Sequence, residues 1–159
     1  MSQRARDRPW LGLTLLILSS TAMATASAPS ASVVSVGEVV ALDGTGPEGG
    51  PELRQALRSA LLEELAQMTQ KGVSIRRPLV VSLTLTKLSS ERRAEHATAT
   101  AAISLALRRA DDQVLFAELR GRASAEEAAG SLASVRSAAL RGAVRGAVRR
   151  LPEAVQRTR

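Results

Sequence analysis

The chain has 159 residues, of which 45% are hydrophobic, and its formal net charge is +7. This length suits one domain of ordinary size rather than two independent cores. Cysteine is absent, which excludes disulfides, thiolate metal sites, cysteine nucleophiles and the lipid-bearing cysteine of a bacterial lipoprotein signal. Trp10 and Phe116 are the only aromatic residues, so a core must be built from leucine, valine, isoleucine and alanine.

The first 26 residues have the organisation of a signal peptide. Arginines near the start precede an uncharged run from Trp10 to Leu18, and small residues follow, which is the order of a basic, an apolar and a cleavage region. The run has about half of the roughly 20 residues that span a bilayer as a helix, so a permanent anchor is the less favoured alternative. Among overlapping Ala-x-Ala patterns, we predict cleavage at the one formed by Ala24 and Ala26. The mature chain, residues 27–159, would be a single periplasmic or secreted domain.

The mature chain opens with a predicted strand and a predicted helix. Residues 33–42 are rich in β-branched side chains, which favours a strand, and the glycine-rich segment 43–50 breaks it. Pro51 suits the first position of a helix, and an apolar stripe then recurs at helical spacing as far as Lys71 and Gly72. The stripe consists of Leu53, Leu57, Leu61, Leu65 and Met68.

Three strands joined by short polar turns are predicted next. In residues 79–88, leucine and valine alternate with serine and threonine, which is the period of a half-buried strand. A turn at 89–93 leads to a third strand at 97–107, and a fourth strand follows at 114–121. Short connections of this kind predict an antiparallel meander. The small, acidic residues 123–130 fit either a loop or a frayed helical turn.

The C-terminal segment is predicted to be a basic amphipathic helix over about residues 131–156. Its apolar side chains recur at helical spacing, while Arg141, Arg145 and Arg149 are four apart on the opposite side. Residues 131–159 carry a net charge of +6 and residues 27–130 carry −1, so the basic character belongs to this segment. Gly142 and Gly146 are spaced for close packing against the first helix or a second subunit, with chance repetition on a tolerant face as the alternative.

These elements together predict an α+β fold in the order β-α-β-β-β-α. Strands and helices that are apolar on one side form a two-layer sandwich, here a mostly antiparallel sheet with two helices on one face. The other face carries threonine and serine. We expect that polar face to be solvated.

Several stretches follow the pattern of a known group of domains. They are the helix at 53–65, the strands at 81–88 and 102–107, and the segment 112–116. In this layout they resemble the periplasmic accessory domains grouped around the curli secretion channel protein CsgG and the penicillin-binding-protein activator LpoB. The chain departs from that group in having no lipobox cysteine and no membrane-spanning insertions. The resemblance implies the fold, the compartment and a role as a soluble accessory protein that binds another envelope component.

No set of residues in the sequence points to catalysis, to a cofactor or to a metal. The segment 44–50 lacks the Gly-Lys-Ser/Thr ending of a phosphate-binding loop, and no Gly-x-Ser-x-Gly elbow is present. His96 is the only histidine, and we expect it to be solvated at a strand end. Adjacent acids such as Glu63 and Glu64 point in different directions, so we expect solvated carboxylates rather than a catalytic pair. The sequence therefore predicts a protein that is not an enzyme.

The leading hypothesis is an exported accessory domain that binds another cell-envelope protein. The alternative is a binder of anionic lipid, lipopolysaccharide or polymer phosphate that uses Arg141, Arg145, Arg149 and Arg150. The amphipathic pattern favours a simpler interpretation of these arginines, the solvated outer face of a packed helix. Nucleic acid is not expected as a partner, because aromatic stacking residues are lacking and export leads away from it. A homo-oligomer is compatible with the sequence.

Overall fold

The protein is described by a computed structural model at residues 34–41, 50–71, 75, 77–93, 95–128 and 131–157. The elements in these residues are β1 (Val34–Ala41), α1 (Pro51–Gln70), β2 (Leu79–Arg93), β3 (His96–Arg109), β4 (Leu115–Ala128), α2 (Leu132–Val148) and α3 (Leu151–Arg157). The predicted order β-α-β-β-β-α is confirmed, and the short α3 is added at its end. None of these helices is both long and apolar enough to cross a bilayer.

The four strands form one sheet in the order β1-β2-β3-β4. β1 runs parallel to β2, with Val36 beside Val81, because the crossover through α1 returns the chain to the same end of the sheet. β2, β3 and β4 pair antiparallel, with Leu83 beside Leu105 and Leu105 beside Leu119. The sheet is therefore mixed and mostly antiparallel, as predicted.

The core lies between the helices and one face of this sheet. Alternate residues of β2 and β3 point into it, and the largest that are fully buried are Val81, Leu83, Leu85, Ile103, Leu105 and Leu107. The predicted stripe of α1 is confirmed at Leu57, Leu61, Leu65 and Met68, whereas Leu53 is only partly buried. Within the described residues no polar or charged side chain is buried, so the core is aliphatic throughout.

β2 and β4 are longer than predicted. The turn expected at 89–93 is wrong, since β2 continues through these residues in register with β3. The segment 123–130, which fitted a loop or a helical turn, is strand as far as Ala128. Ala123 and Ala125 pack against the core, but alanine gives a weak alternation of hydrophobicity. Pairing with a neighbouring strand, rather than local pattern, defines the strand there.

The helix predicted at 131–156 is in fact two helices. α2 ends at Val148 and α3 begins at Leu151, with two arginines between them. Pro152 accounts for the break, because it has no N–H to donate to the carbonyl of Val148 and its ring would clash with that carbonyl in a continuous helix. Leu151 is fully buried, so the break also brings an apolar side chain into the core.

α2 approaches the backbone of β4 closely. A methyl group built on Gly121 would lie 2.0 Å from the carbonyl oxygen of Ala143, and one built on Gly142 would lie 2.9 Å from Cβ of Ala123. One built on Gly146 would meet nothing within 4 Å. The expected packing of Gly142 and Gly146 on the first helix or a second subunit is therefore corrected, because Gly142 packs on β4. Glycine permits this contact because it has no Cβ.

Candidate functional site

The four arginines singled out from the sequence lie on the outer side of α2 and at its end. Arg141, Arg145, Arg149 and Arg150 are all exposed. Nε of Arg145 donates to Oε1 of Glu64 at 2.8 Å, and the Glu64 side chain is only 11% exposed. Arg145 therefore joins α2 to α1, and the expectation that Glu64 is solvated is wrong. The two residues are 81 positions apart, so no local pattern in the sequence indicated the pair.

The other three arginines make fewer contacts within the fold. Arg141 donates through Nη2 to Oγ of Ser137 on the same helix at 3.2 Å. Arg149 and Arg150 occupy the break between α2 and α3, where the carbonyl end of α2 favours positive charge. Neither forms an ion pair with a carboxylate of the described residues. We call Arg149 and Arg150 the basic patch, and Arg141 lies two helical turns before it.

Two predicted features lie outside the described residues. They are the cleavage site at Ala24 and Ala26 and nearly all of the glycine-rich segment 44–50. Signal cleavage and the role of the glycine-rich segment therefore stay predictions from the sequence.

The face of the sheet that points away from the helices has no helix over it in the described part of the chain. Threonine and serine occupy it as predicted, together with alanine on β3 and charged residues on β4. We call this surface the open face; its residues on β2, β3 and β4 include Val80, Ser82, Thr84, Lys87, Ala102, Ser104, Ala106, Arg108, Glu118, Arg120, Arg122 and Glu126. Its centre is flat because the side chains there are short, and its β4 side is charged. The sequence predicted the polar centre and gave no indication of which charges would lie beside it.

Glu118 is held in place on the open face by two neighbours. Its Oε1 accepts a hydrogen bond from Oγ of Ser104 at 2.8 Å and another from Nε of Arg120 at 3.4 Å. These contacts, the bond from Ser104 first, hold the pKa of Glu118 below its usual value because they stabilise the carboxylate. The open face therefore carries a fixed negative charge next to Arg120.

The remaining ionisable contacts stabilise turns and strand ends. His96 lies at the start of β3, as predicted, with its Nδ1 3.4 Å from Oε1 of Glu126 and both side chains more than half exposed. Asp112, in the turn before β4, accepts the N–H of Val114 at 3.0 Å, and this bond is the main cause that lowers the pKa of Asp112. Throughout the described ranges, no group of three or more histidine, aspartate or glutamate side chains could hold a metal ion.

A shallow surface depression of about 380 Å³ lies near the C-terminal end of β2 and the N-terminal end of β3. It is lined by Ser89, Ser90, Glu91, Thr98, Ala99 and Thr100. Oγ of Ser90 accepts from Nε of Arg136 at 2.7 Å, and Oγ1 of Thr98 donates to the carbonyl of Glu91. The polar groups of the depression are thus partly used within the fold, and its lining pairs no nucleophile with a base.

Comparison with known proteins finds shared folds at low sequence identity. No known protein family matches the sequence, and neither does any curated protein. A DUF330 protein from Xanthomonas campestris is 14% identical over 79% of this chain and 86% of its own, with a TM-score of 0.53. A hypothetical protein from Chlamydia trachomatis is also 14% identical, over 77% of this chain and 96% of its own, with a TM-score of 0.50. Lipoprotein GNA1162 from Neisseria meningitidis is 17% identical over 66% of this chain and 92% of its own, with a TM-score of 0.37. The first two of these likenesses concern the fold alone.

Proposed function

We propose that this chain is an exported, non-enzymatic domain that binds another protein of the cell envelope through the open face of its sheet. The observation that carries the proposal is the open face itself. One side of the sheet packs the helices and the aliphatic core, while the other side is flat, built of short side chains and without a described helix over it. Such a surface can be covered by a partner without rearrangement of the domain.

The composition of the open face favours binding over simple solvation. A solvated face is common in antiparallel sheets, so exposure alone does not make a binding surface. Here Ala102 and Ala106 flank Ser104 at the centre, and long charged side chains lie around it, Lys87 on β2, Arg108 on β3 and the charged residues of β4. Protein interfaces have the same arrangement, with a closely packed, partly apolar centre and a polar rim. The charges on β4 would set the orientation of the partner.

The compartment in this proposal rests on the sequence. Residues 1–26 have the basic, apolar and cleavage regions of a signal peptide, and the resemblance to the CsgG and LpoB accessory domains supports the same location and a binding role. Intact mass and N-terminal sequencing of the chain recovered from fractionated cells should give a protein that begins at Ser27 in the envelope or the medium. An uncleaved chain in the cytoplasm would contradict export.

Site-specific photo-crosslinking tests the open face. A photoreactive amino acid at Ala102, next to Ser104 on the open face, should crosslink to an envelope protein in living cells. The same amino acid at Ala138, on the exposed side of α2, is the matched control and should give no crosslink. Ala106→Arg should abolish the crosslink from position 102 without changing the thermal unfolding midpoint, because a long charged side chain would hold the partner away from the centre. Equal crosslinking from positions 102 and 138, or none from 102, would overturn the open face as the binding surface.

A second candidate function is binding to anionic envelope surfaces through the basic patch. The observation that favours it is that Arg149 and Arg150 are adjacent, exposed and without an ion pair among the described carboxylates. Binding to vesicles that contain phosphatidylglycerol should then weaken with added salt and be lost in Arg149→Gln/Arg150→Gln. Arg54→Gln/Arg58→Gln on the exposed side of α1 removes the same charge and should leave binding unchanged. Equal loss in both variants would show a general effect of net charge.

A further inference from the structure

β4 forms an edge of the sheet that is suited to pairing. It is the last strand in the order, so within the described part of the chain only β3 bonds to it, and 14 residues present one row of outward backbone groups. The opposite edge, β1, has 8 residues and a register shift between Val36 and Val39, an irregularity that discourages pairing. β4 is in regular register with β3 from Ala117 to Ala128.

Charges of both signs follow one another along the open-face side of this edge. From Ala117 onward, even-numbered residues of β4 lie on the open face and odd-numbered residues on the helix side; the register shift between Leu107 and Arg108 of β3 instead sets Leu115 beside Arg108 of the open face. The charged residues on the open-face side are Glu118, Arg120, Arg122 and Glu126. In an antiparallel pair, residues that lie directly opposite each other are on the same face of the sheet. Two copies of β4 related by a two-fold axis therefore have their open faces on the same side only if the axis sets one residue opposite its own copy. The choice of that residue decides which charges lie opposite each other.

We propose that β4 pairs edge to edge with β4 of a second copy of this chain, with the two-fold axis at Leu119. In this register, Glu118 lies opposite Arg120 of the second copy, and Arg120 lies opposite its Glu118. Since Glu118 and Arg120 of one chain already touch, the four side chains would form a cluster of alternating charge. Opposite charges directly across two strands stabilise the pair.

Several other registers bring like charges together. An axis at Glu118, Arg120 or Arg122 sets that residue opposite itself, and an axis at Gly121 sets Arg120 opposite Arg122. Like charges directly opposite are destabilising. An axis at Ala123 avoids this because it pairs Arg120 with Glu126, and an axis at Ser124 avoids it because it pairs Arg122 with Glu126, so charge alone does not select one register.

The apolar residues of β4 favour the axis at Leu119. Leu119 is only partly buried within one chain, and this register sets the two copies of Leu119 opposite each other. The axis at Ala123 would instead set Leu119 opposite the charged Glu127, and the axis at Ser124 would set Leu119 beyond the end of β4 of the second copy. Removal of exposed apolar surface from water stabilises the first register.

Charge exchange on β4 tests the dimer. Sedimentation velocity of the processed protein should show a monomer–dimer equilibrium, and Arg120→Glu should weaken it at least about tenfold, since two Glu–Glu oppositions replace two ion pairs. The double variant Glu118→Arg/Arg120→Glu should restore it, because the opposite charges are only exchanged. Arg108→Glu, on the open face of β3, makes the same charge change away from the edge and should have no effect. A monomeric parent protein, or a double variant that stays as weak as Arg120→Glu, would overturn the proposal.

A distance measurement tests the register separately. Because the chain has no cysteine, Ser124→Cys carries a single spin label per copy. With the axis at Leu119, the two labels are ten residues apart along the paired strands, or about 33 Å. With the axis at Ala123 they are two residues apart, or about 7 Å. A short distance would overturn the proposed register. The photo-crosslinks from Ala102 do not depend on this dimer, so the two proposals can fail independently.

Discussion

α1 and α2 cover the same face of one sheet, yet they fill the space beneath them in opposite ways. α1 contributes long side chains such as Leu57 and Leu61, whereas α2 contributes mainly valines and small residues. The small residues let α2 approach until its backbone meets Gly121 of β4. Protein interiors must be closely packed in either case. A chain with almost no aromatic residues can therefore close its core by bringing backbones together as well as by inserting large side chains.

Under α1, a loss of volume should be most damaging. Leu61 is fully buried, so Leu61→Ala should lower the free energy of unfolding by about 3 kcal/mol through lost burial and the cavity that remains. Leu62→Ala is the matched control, since the neighbouring side chain is 50% exposed and should change stability by less than about 0.5 kcal/mol. Urea unfolding followed by circular dichroism measures both. Equal losses of stability in Leu61→Ala and Leu62→Ala would mean that the buried side chains of α1 contribute no more to stability than the exposed ones.

Under α2, a gain of volume should be damaging instead. Gly121→Ala should cost about 2 kcal/mol, because its methyl group would collide with the backbone of α2 and the helix would have to move. Gly37→Ala on β1 is the comparison, since its methyl group would meet side-chain atoms of Ser82 and Val80, at 2.8 and 2.9 Å, rather than a backbone carbonyl at 2.0 Å. Its cost in the same urea experiment should therefore be smaller. A Gly121→Ala protein as stable as the parent would show that α2 is free to shift outward.

The same contrast explains what the sequence could predict of the fold. The strand at 79–88 and α1 are read from leucine and valine at periods of two and 3.6 residues; α1 was predicted correctly, and so was the strand over 79–88, although not its continuation to Arg93. Alanine and glycine carry a much weaker signal of this kind, so the continuation of β4 to Ala128 was not predicted. The contact of Gly142 with β4 depends on the distance between the layers, which no local pattern specifies.

The candidate surfaces were predicted to a similar extent. The exposed side of α2 with Arg141, Arg149 and Arg150 follows from helical spacing, and the polar open face follows from alternation in the strands. The ion pair of Arg145 with Glu64 depends on how α1 and α2 lie side by side. The neighbours of Glu118 depend on the register between β3 and β4. Both are tertiary contacts between residues far apart in the chain or on different strands, so periodicity within one element does not reveal them.

The smallest expected effect is the difference in stability between alanine substitutions at Gly142 and Gly146, the two glycines of α2. Gly146→Ala should raise stability by up to about 1 kcal/mol, because alanine is the better helix former and its methyl group meets nothing within 4 Å. Gly142→Ala, one turn earlier, gains the same propensity but places a methyl group 2.9 Å from Cβ of Ala123, so it should be less stable than Gly146→Ala. The two thermal midpoints give the difference directly, since the helix and the substitution are the same. Equal midpoints would mean that contact with β4 does not limit how closely α2 packs. Glycine at position 142 would then not be required for the packing of α2 on β4.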